Sequence, residues 1–319
     1  AHTAQAQDAT TDIVEALRAG NFDRALQLSK IALDKSPRDY RLWTLRGMAY
    51  ASASKPGAAL IAYQHALKLA PAYLPALEGA AQIEYRQGSD GAKQLILRIL
   101  ALHPADPTSH AMLAVIDYKA KNGAEAIPHF QQAKALLEAQ PQLLTEYASC
   151  LATLSRYEEV IPILQQALKI DPKRQGTRYN LALAQWNANR TQDALATLQP
   201  LIDTNPDDED VLTLTADIYE SNNDTPHAVE LLRQTILANP KKVGAYLQFS
   251  TLSYNHASLQ VGIDMLNAGL TQLPDEPRLY LARAILYSEK GDFSQAMEDF
   301  ETVNRLDPNL SFAGVAEGP

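Results

Sequence analysis

Apolar residues recur along this chain at helical spacing, in pairs of short stretches. Near the C-terminus Leu279, Leu286 and Tyr287 mark one stretch, and Phe293, Ala296, Phe300 and Val303 mark the next. Residues three, four and seven apart share one face of an α-helix. Each stretch predicts a helix of about 13 residues, about 20 Å long. Between the two stretches of a pair sits a breaker, Gly20, Gly88 or Gly291, or polar pairs such as Asn189-Arg190 and Asn223-Asp224. Such residues suit a tight turn. No sustained two-residue alternation and no Asn-Gly or Asp-Gly between β-branched runs signals a strand.

The pairs recur with a fixed period. Pro37, Pro71, Pro104, Pro172, Pro206, Pro240, Pro274 and Pro308 are 34, 33, 68, 34, 34, 34 and 34 residues apart. Proline cannot continue a helix, so each one closes a pair. Twelve residues before each proline, or before the place where one would fall, stand Ala25, Ala59, Ala92, Ala126, Val160, Ala194, Ala228, Gly262 and Ala296. Twelve residues further upstream, eleven at Ala81, stand Ile13, Gly47, Ala81, Ala114, Ala148, Ala182, Ala216, Ser250 and Ala284. Small side chains let two helix backbones approach, and larger ones would overpack the seam. A period of this length indicates a stacked repeat whose core runs from unit to unit.

At these residues the chain resembles the tetratricopeptide repeat family, whose 34-residue unit has a Trp-x2-Leu-Gly-x2-Tyr opening, an Ala in its second helix and a closing Pro. Trp43, Gly47 and Tyr50 match the opening, with Arg46 in place of Leu; Ala59, Tyr63, Ala66 and Pro71 match the rest. The last unit repeats the pattern in Tyr280, Ala284, Tyr287, Gly291, Asp292, Ala296, Phe300 and Pro308. Nine units are counted, 6–39, 40–73, 74–106, 107–140, 141–174, 175–208, 209–242, 243–276 and 277–310. The first has a weak opening helix, and the fourth lacks its closing proline, with Glu138-Ala139-Gln140 before Pro141. The resemblance implies an all-α fold, a right-handed α-α superhelix of stacked antiparallel helix pairs. It implies a solenoid over residues 10–310, with residues 1–9 a flexible tail and 311–319 a tail or incomplete cap. It also implies a non-enzymatic scaffold, in which the first helices line a concave wall that holds an extended peptide or a helix.

Composition narrows the partner. A net charge of -9 argues against nucleic acid, which rewards clustered Lys and Arg, and favours a protein or peptide partner, basic or apolar. No apolar run approaches the length that crosses a membrane. The lone Cys150, among Tyr147, Ala148 and Leu151, reads as a buried packing residue. No pair of the seven histidines has metal-ligand spacing on a helix, and no phosphate-binding, dinucleotide or nucleophile motif occurs; neither a metal nor a cofactor is expected. The carboxylates at 207–210 read as a solvated cap at a helix start. Ala4-Gln5-Ala6 resembles the small-residue end of a bacterial export signal, which points to an extracytoplasmic address, with the cytoplasm as the alternative.

Helical phase picks out the wall-facing stripe of each first helix. It takes in Pro75, Glu78, Gln82 and Tyr85; Thr108, Ala111, Val115 and Tyr118; Gly176, Tyr179, Leu183 and Trp186; Asp210, Thr213, Asp217 and Glu220; and Gly244, Leu247, Thr251 and Tyr254. Tyr85, Tyr118, Trp186 and Tyr254 make an aromatic stripe, Tyr179, Leu183 and Trp186 an apolar patch, and Asp210, Asp217 and Glu220 an acidic one. These nine are the candidate partner-binding residues, because exposed Tyr and Trp anchor partners. A second reading stays open. Tyr50, Tyr219 and Tyr287 hold the family's core position, where the striped units carry Glu84, Asp117, Gln185 and Ser253. A small helix rotation would tuck the aromatic neighbour into the seam and leave the polar residue outside.

The family's carboxylate clamp of Lys, Arg and Asn is missing, the stripe carrying Glu78, Asp210, Asp217 and Glu220 with only Arg41 and Arg278, so acidic C-terminal tails are not expected ligands. Phe293, Met297, Phe300 and Leu306 on the last helix raise the expectation of self-association or a further domain at that end. The alternative function is a targeting or assembly module of a larger enzyme or of an envelope polysaccharide or secretion system.

Overall fold

A computed structural model describes residues 2–206 and 208–310, with side chains from residue 10 onward. Every regular element among them is helical. The chain divides into two compact units, Ala1–Arg156 and Tyr157–Pro319. The first contains α1 (His2–Arg18), α2 (Phe22–Lys35), α3 (Tyr40–Ser52), α4 (Pro56–Leu69), α5 (Leu74–Gln87), α6 (Gly91–Leu102), α7 (Pro107–Lys119), α8 (Gly123–Gln132), α9 (Lys134–Leu137) and α10 (Pro141–Thr153). The second contains α11 (Tyr157–Ile170), α12 (Gln175–Asn187), α13 (Thr191–Thr204), α14 (Glu209–Ser221), α15 (Thr225–Ala238), α16 (Val243–Asn255), α17 (Leu259–Gln272), α18 (Pro277–Lys290) and α19 (Phe293–Leu306). The stretch 1–9, expected as a tail, is where α1 begins, at His2; the expected tail or cap at 311–319 lies outside the described residues.

Inside each unit the helices pack as pairs, α3 on α4, α5 on α6, α12 on α13 and α18 on α19, and first helices of neighbouring pairs run side by side, as α3 with α5 and α14 with α16. The two predicted sets of small residues form these seams. Ala25, Ala59, Ala126, Ala194 and Ala228 are wholly inaccessible, as are Ala114, Ala182 and Ala284. Larger side chains fill the space between pairs. In the first unit Leu77, Ile96 and Leu113 belong to one core cluster; in the second, Leu198, Val211, Leu214 and Ile218 belong to another. Burying each such side chain stabilises by about 1.5–3 kcal/mol.

The turn inside each pair is a single device used nine times. Gly20, Ser54, Gly88, Lys121, Ser155, Asn189, Asn223, Ala257 and Gly291 all have φ between 53° and 88°. In each case the next residue's N–H donates to the carbonyl five residues before it, from Asn21 to Ala16 through Asp292 to Tyr287, at 2.8–3.0 Å. This is a Schellman closure, which satisfies helix-end carbonyls around a left-handed residue. Glycine suits that conformation and asparagine tolerates it; Ala257 adopts it against its own preference.

Five of the loops between pairs use a second device. The periodic proline's carbonyl accepts a hydrogen bond from the side chain six residues on, in the next first helix. Trp43 Nε1 donates to Pro37 at 2.9 Å, Arg178 to Pro172 at 3.2 Å, Tyr246 to Pro240 at 3.0 Å and Tyr280 to Pro274 at 2.9 Å. Where Leu77 fills the position in the third repeat, Arg98 reaches Pro71 instead, at 2.6 Å. The fourth repeat, which lacks its proline, breaks its second helix at Ala133 into α8 and α9.

His110 sits at this same position and bonds the Pro104 carbonyl through Nε2 at 2.9 Å. A carbonyl only accepts, so His110 Nε2 carries the proton. Its Nδ1 faces Nδ1 of His129 at 2.9 Å, and in the neutral pair His129 donates. Nearby, Lys93 Nζ pairs with the buried Asp117 at 2.6 Å. Burial, then the His110 charge, lowers the pKa of His129 below its usual 6.5.

Two outcomes test this local physics. Ala257→Gly removes a left-handed strain and is expected to stabilise the chain by about 1 kcal/mol in urea unfolding; an unchanged or lower midpoint contradicts it. For His129, the unfolded chain takes up the proton first as pH falls, so stability drops as pH is lowered from about 7 through the depressed folded pKa. Unfolding free energies measured across that range should fall less steeply in His129→Gln.

Candidate functional site

The aromatic and acidic candidates of the second unit come together on adjacent helices. Tyr179, Leu183 and Trp186 project from α12, half-buried against a cluster that includes Val211, Leu214 and Ile218 of α14. Trp186 Nε1 donates to Ser221 Oγ on α14 at 3.0 Å, and that hydroxyl donates to the Ile218 carbonyl at 2.9 Å. The indole is thereby fixed at the seam between two first helices, with part of its surface open. The Tyr179 phenol is raised in pKa by burial and then by the charges of Asp210, Asp208 and Asp217, which puts it within electrostatic reach of the acidic patch.

The three carboxylates of that patch differ. Asp210 and Asp217 are exposed; the Asp217 pKa is raised by partial desolvation and then by Glu220. Glu220 is committed. Its Oε2 pairs with His256 Nε2 at 2.5 Å across to the end of α16, while its Oε1 is buried without a hydrogen-bond partner. The carboxylate run at 207–210 acts in part as a cap, since Asp208 Oδ1 accepts the Val211 N–H at 3.2 Å. Residue 207 lies outside the described residues.

The other candidates lie apart from this patch. Tyr85 on α5 and Tyr118 on α7 are half-buried in the first unit. Tyr254 on α16 is 44% exposed and lines a shallow groove of about 260 Å³ with Leu247, Thr251 and Ile285. The stripe does not stay on the surface throughout: Ala111, Val115 and Gly244 are buried.

In three of the four striped helices the polar residue takes the core position, while in α5 Glu84 and Tyr85 are both half-buried. Asp117, Gln185 and Ser253 are buried at the core position, and their aromatic neighbours remain at the edge of the seam. Local partners make this tolerable: Lys93 neutralises Asp117, and the Ser253 hydroxyl donates to the Phe249 carbonyl at 2.9 Å. Gln185 is the exception, its Oε1 being buried and unpartnered. Arg41 and Arg278, the stripe's scattered cations, are taken up by Asp39 at 3.3 Å and Glu276 at 2.8 Å, the acids that cap their own helices.

The sequence did not single out a larger groove in the first unit, of about 440 Å³, between α3, α5 and α7. Stripe residues Pro75, Glu78, Gln82 and Thr108 line it, and Tyr63 from α4 forms its floor. The signal for it lay in Gly47 and Gly79, where a Cβ would overlap the Tyr63 ring. Cys150 is buried, and burial pushes its thiol up to about 11, so it stays a packing group. Among the described residues no helix is long and apolar enough to cross a membrane.

Comparisons with known proteins agree with this architecture. Family models described as tetratricopeptide repeat match residues 13–73, 151–218 and 277–310, together just over half of the chain. The C-terminal part of a TPR repeat-containing protein from Cytophaga hutchinsonii aligns at a TM-score of 0.51 and 15% identity, over 74% of this chain and 97% of that one. YrrB, described as a TPR protein with an unusual peptide-binding site, aligns at 0.49 and 22% identity, over 58% and 95%. A tetratricopeptide repeat protein from Parabacteroides merdae aligns at 0.47 and 16%, over 83% and 98%. No curated protein matches the sequence.

An unpartnered buried acceptor costs about 1–3 kcal/mol. Gln185→Met keeps the side-chain length and removes that acceptor, so thermal unfolding is expected to shift upward by the equivalent of about 1 kcal/mol. A downward shift shows that the amide is bonded in solution.

Proposed function

Because the chain belongs to the tetratricopeptide repeat family, we propose that it is a non-enzymatic scaffold that holds a peptide or protein segment against its first helices. One observation carries this: Tyr179, Leu183 and Trp186 offer apolar surface beside Asp210 and Asp217 on neighbouring helices. Half-buried aromatics held by a packed seam lose little freedom on binding, which favours anchoring. The acidic residues beside them suit a partner that is apolar with basic flanks. Glu220 is held in a hydrogen bond by His256 rather than offered as a free contact. Tyr254 extends the face on α16, and Tyr85 and Tyr118 serve the first helices of the other unit.

The test is affinity capture with immobilised wild type, Tyr179→Ala and Trp186→Ala, quantified by mass spectrometry. Partners held by the wild type are expected to fall at least tenfold with each variant while helical content by circular dichroism is kept. If both variants hold every partner, the patch is not the binding site.

A further inference from the structure

The groove of the first unit has features that an ordinary seam between helices lacks. Tyr63 is 2% exposed, yet its hydroxyl has no hydrogen-bond partner among the described residues. The ring crosses the seam because Gly47 and Gly79 leave room, and a Cβ at Gly79 would fall 2.7 Å from the hydroxyl. The hydroxyl therefore arrives beside Gly79, which also lines the groove. Burial pushes the phenol up to about 12, so at neutral pH it keeps its proton and can donate. The hydroxyl itself is not sealed off, since Tyr63 lines the groove, and a donor held there without a protein partner is open to a ligand acceptor.

The walls add charge of one sign. Glu78 and Asp106 line the groove, and no Lys or Arg does. Neither carboxylate is ion-paired among the described residues. The Glu78 pKa is raised by partial desolvation and then by the Asp106 charge, with His103 pulling the other way. Asp106 uses Oδ2 to cap α7 through the Ser109 N–H at 2.7 Å. The Asp106 charge thus disfavours that of Glu78, and an incoming cation would relieve this. Met48 and Met112 line the groove with flexible apolar side chains that adapt to an aliphatic stem.

We propose that this groove takes a lysine or arginine side chain of an extended partner segment, its cation held by Glu78 and Asp106, its stem between Met48 and Met112, and a backbone carbonyl of the segment accepting from Tyr63 Oη. The inference rests on the scaffold reading and names a ligand chemistry for a site distinct from the Trp186 patch.

Phage-displayed random nonapeptides selected on the full chain supply the probe, followed by fluorescence anisotropy of the selected peptides, labelled with fluorescein. Selected sequences are expected to be enriched in Lys or Arg. Tyr63→Phe keeps the ring and removes the donor, Glu78→Gln removes a charge, and Asp106→Asn removes a charge while keeping the cap acceptor. Each should weaken binding at least fivefold with the unfolding midpoint little changed. No enrichment in Lys or Arg, or equal affinity on all three variants, overturns the proposal. Peptides that weaken with Trp186→Ala and not with the groove variants also overturn it, and leave the scaffold reading standing. No selected peptide at all overturns both.

Discussion

Close approach of helix backbones is the constraint on which the rest depends. It is possible because most seam positions carry alanine or glycine, with Ile13, Val160 and Ser250 the exceptions, and those alanines have almost no accessible surface. With the backbones that near, any larger group entering the seam needs a gap opposite it. Tyr63 shows the rule: its ring occupies the space that Gly47 and Gly79 leave. Gly262 obeys it on the other side, since a Cβ there would meet Leu286 and Ser253 at 2.7 Å. Interiors packed to this density tolerate little added volume.

Two hydrogen-bonded devices then fix how one hairpin follows the next. The left-handed turn closes each pair, and in five of the loops a bond to the proline carbonyl ties one pair to the next. The second device is indifferent to side-chain type, since Trp43, His110, Arg178, Tyr246 and Tyr280 all perform it. What they share is a donor at the right reach.

The period, the helix pairs and the seam residues were legible because each depends on residue size or backbone preference at a fixed spacing. The turn geometry was half legible: glycine and asparagine announce it, while Ser54, Lys121, Ser155 and Ala257 adopt the same conformation without announcing it. The polar core was not legible. Lys93 with Asp117, His110 with His129 and Arg283 with Asp299 join residues 24, 19 and 16 apart, and none recurs with the period. For the candidate site, the stripe placed Tyr179 and Trp186 near Asp210 and Asp217. It could not reveal that Ser221 anchors the indole or that His256 engages Glu220, because both partners lie one repeat away at positions of no fixed type.

Carboxylates near these faces sort by whether the fold has already given them a cation. Asp299 and Asp117 are buried and paired, so they stabilise the stack and have little left for a ligand. Glu220 Oε2 is engaged in a short hydrogen bond with His256 Nε2. Glu78 and Asp217 have no paired cation, and each, though exposed, is partly desolvated beside a like charge, both of which raise its pKa. A helix surface selected for stability alone gains nothing from such an arrangement, because like charges held close repel and burial adds to the penalty. A cation arriving from a partner reverses both effects at once. The gain is largest at low ionic strength, since the Debye length shrinks to about 10 Å at 0.1 M salt.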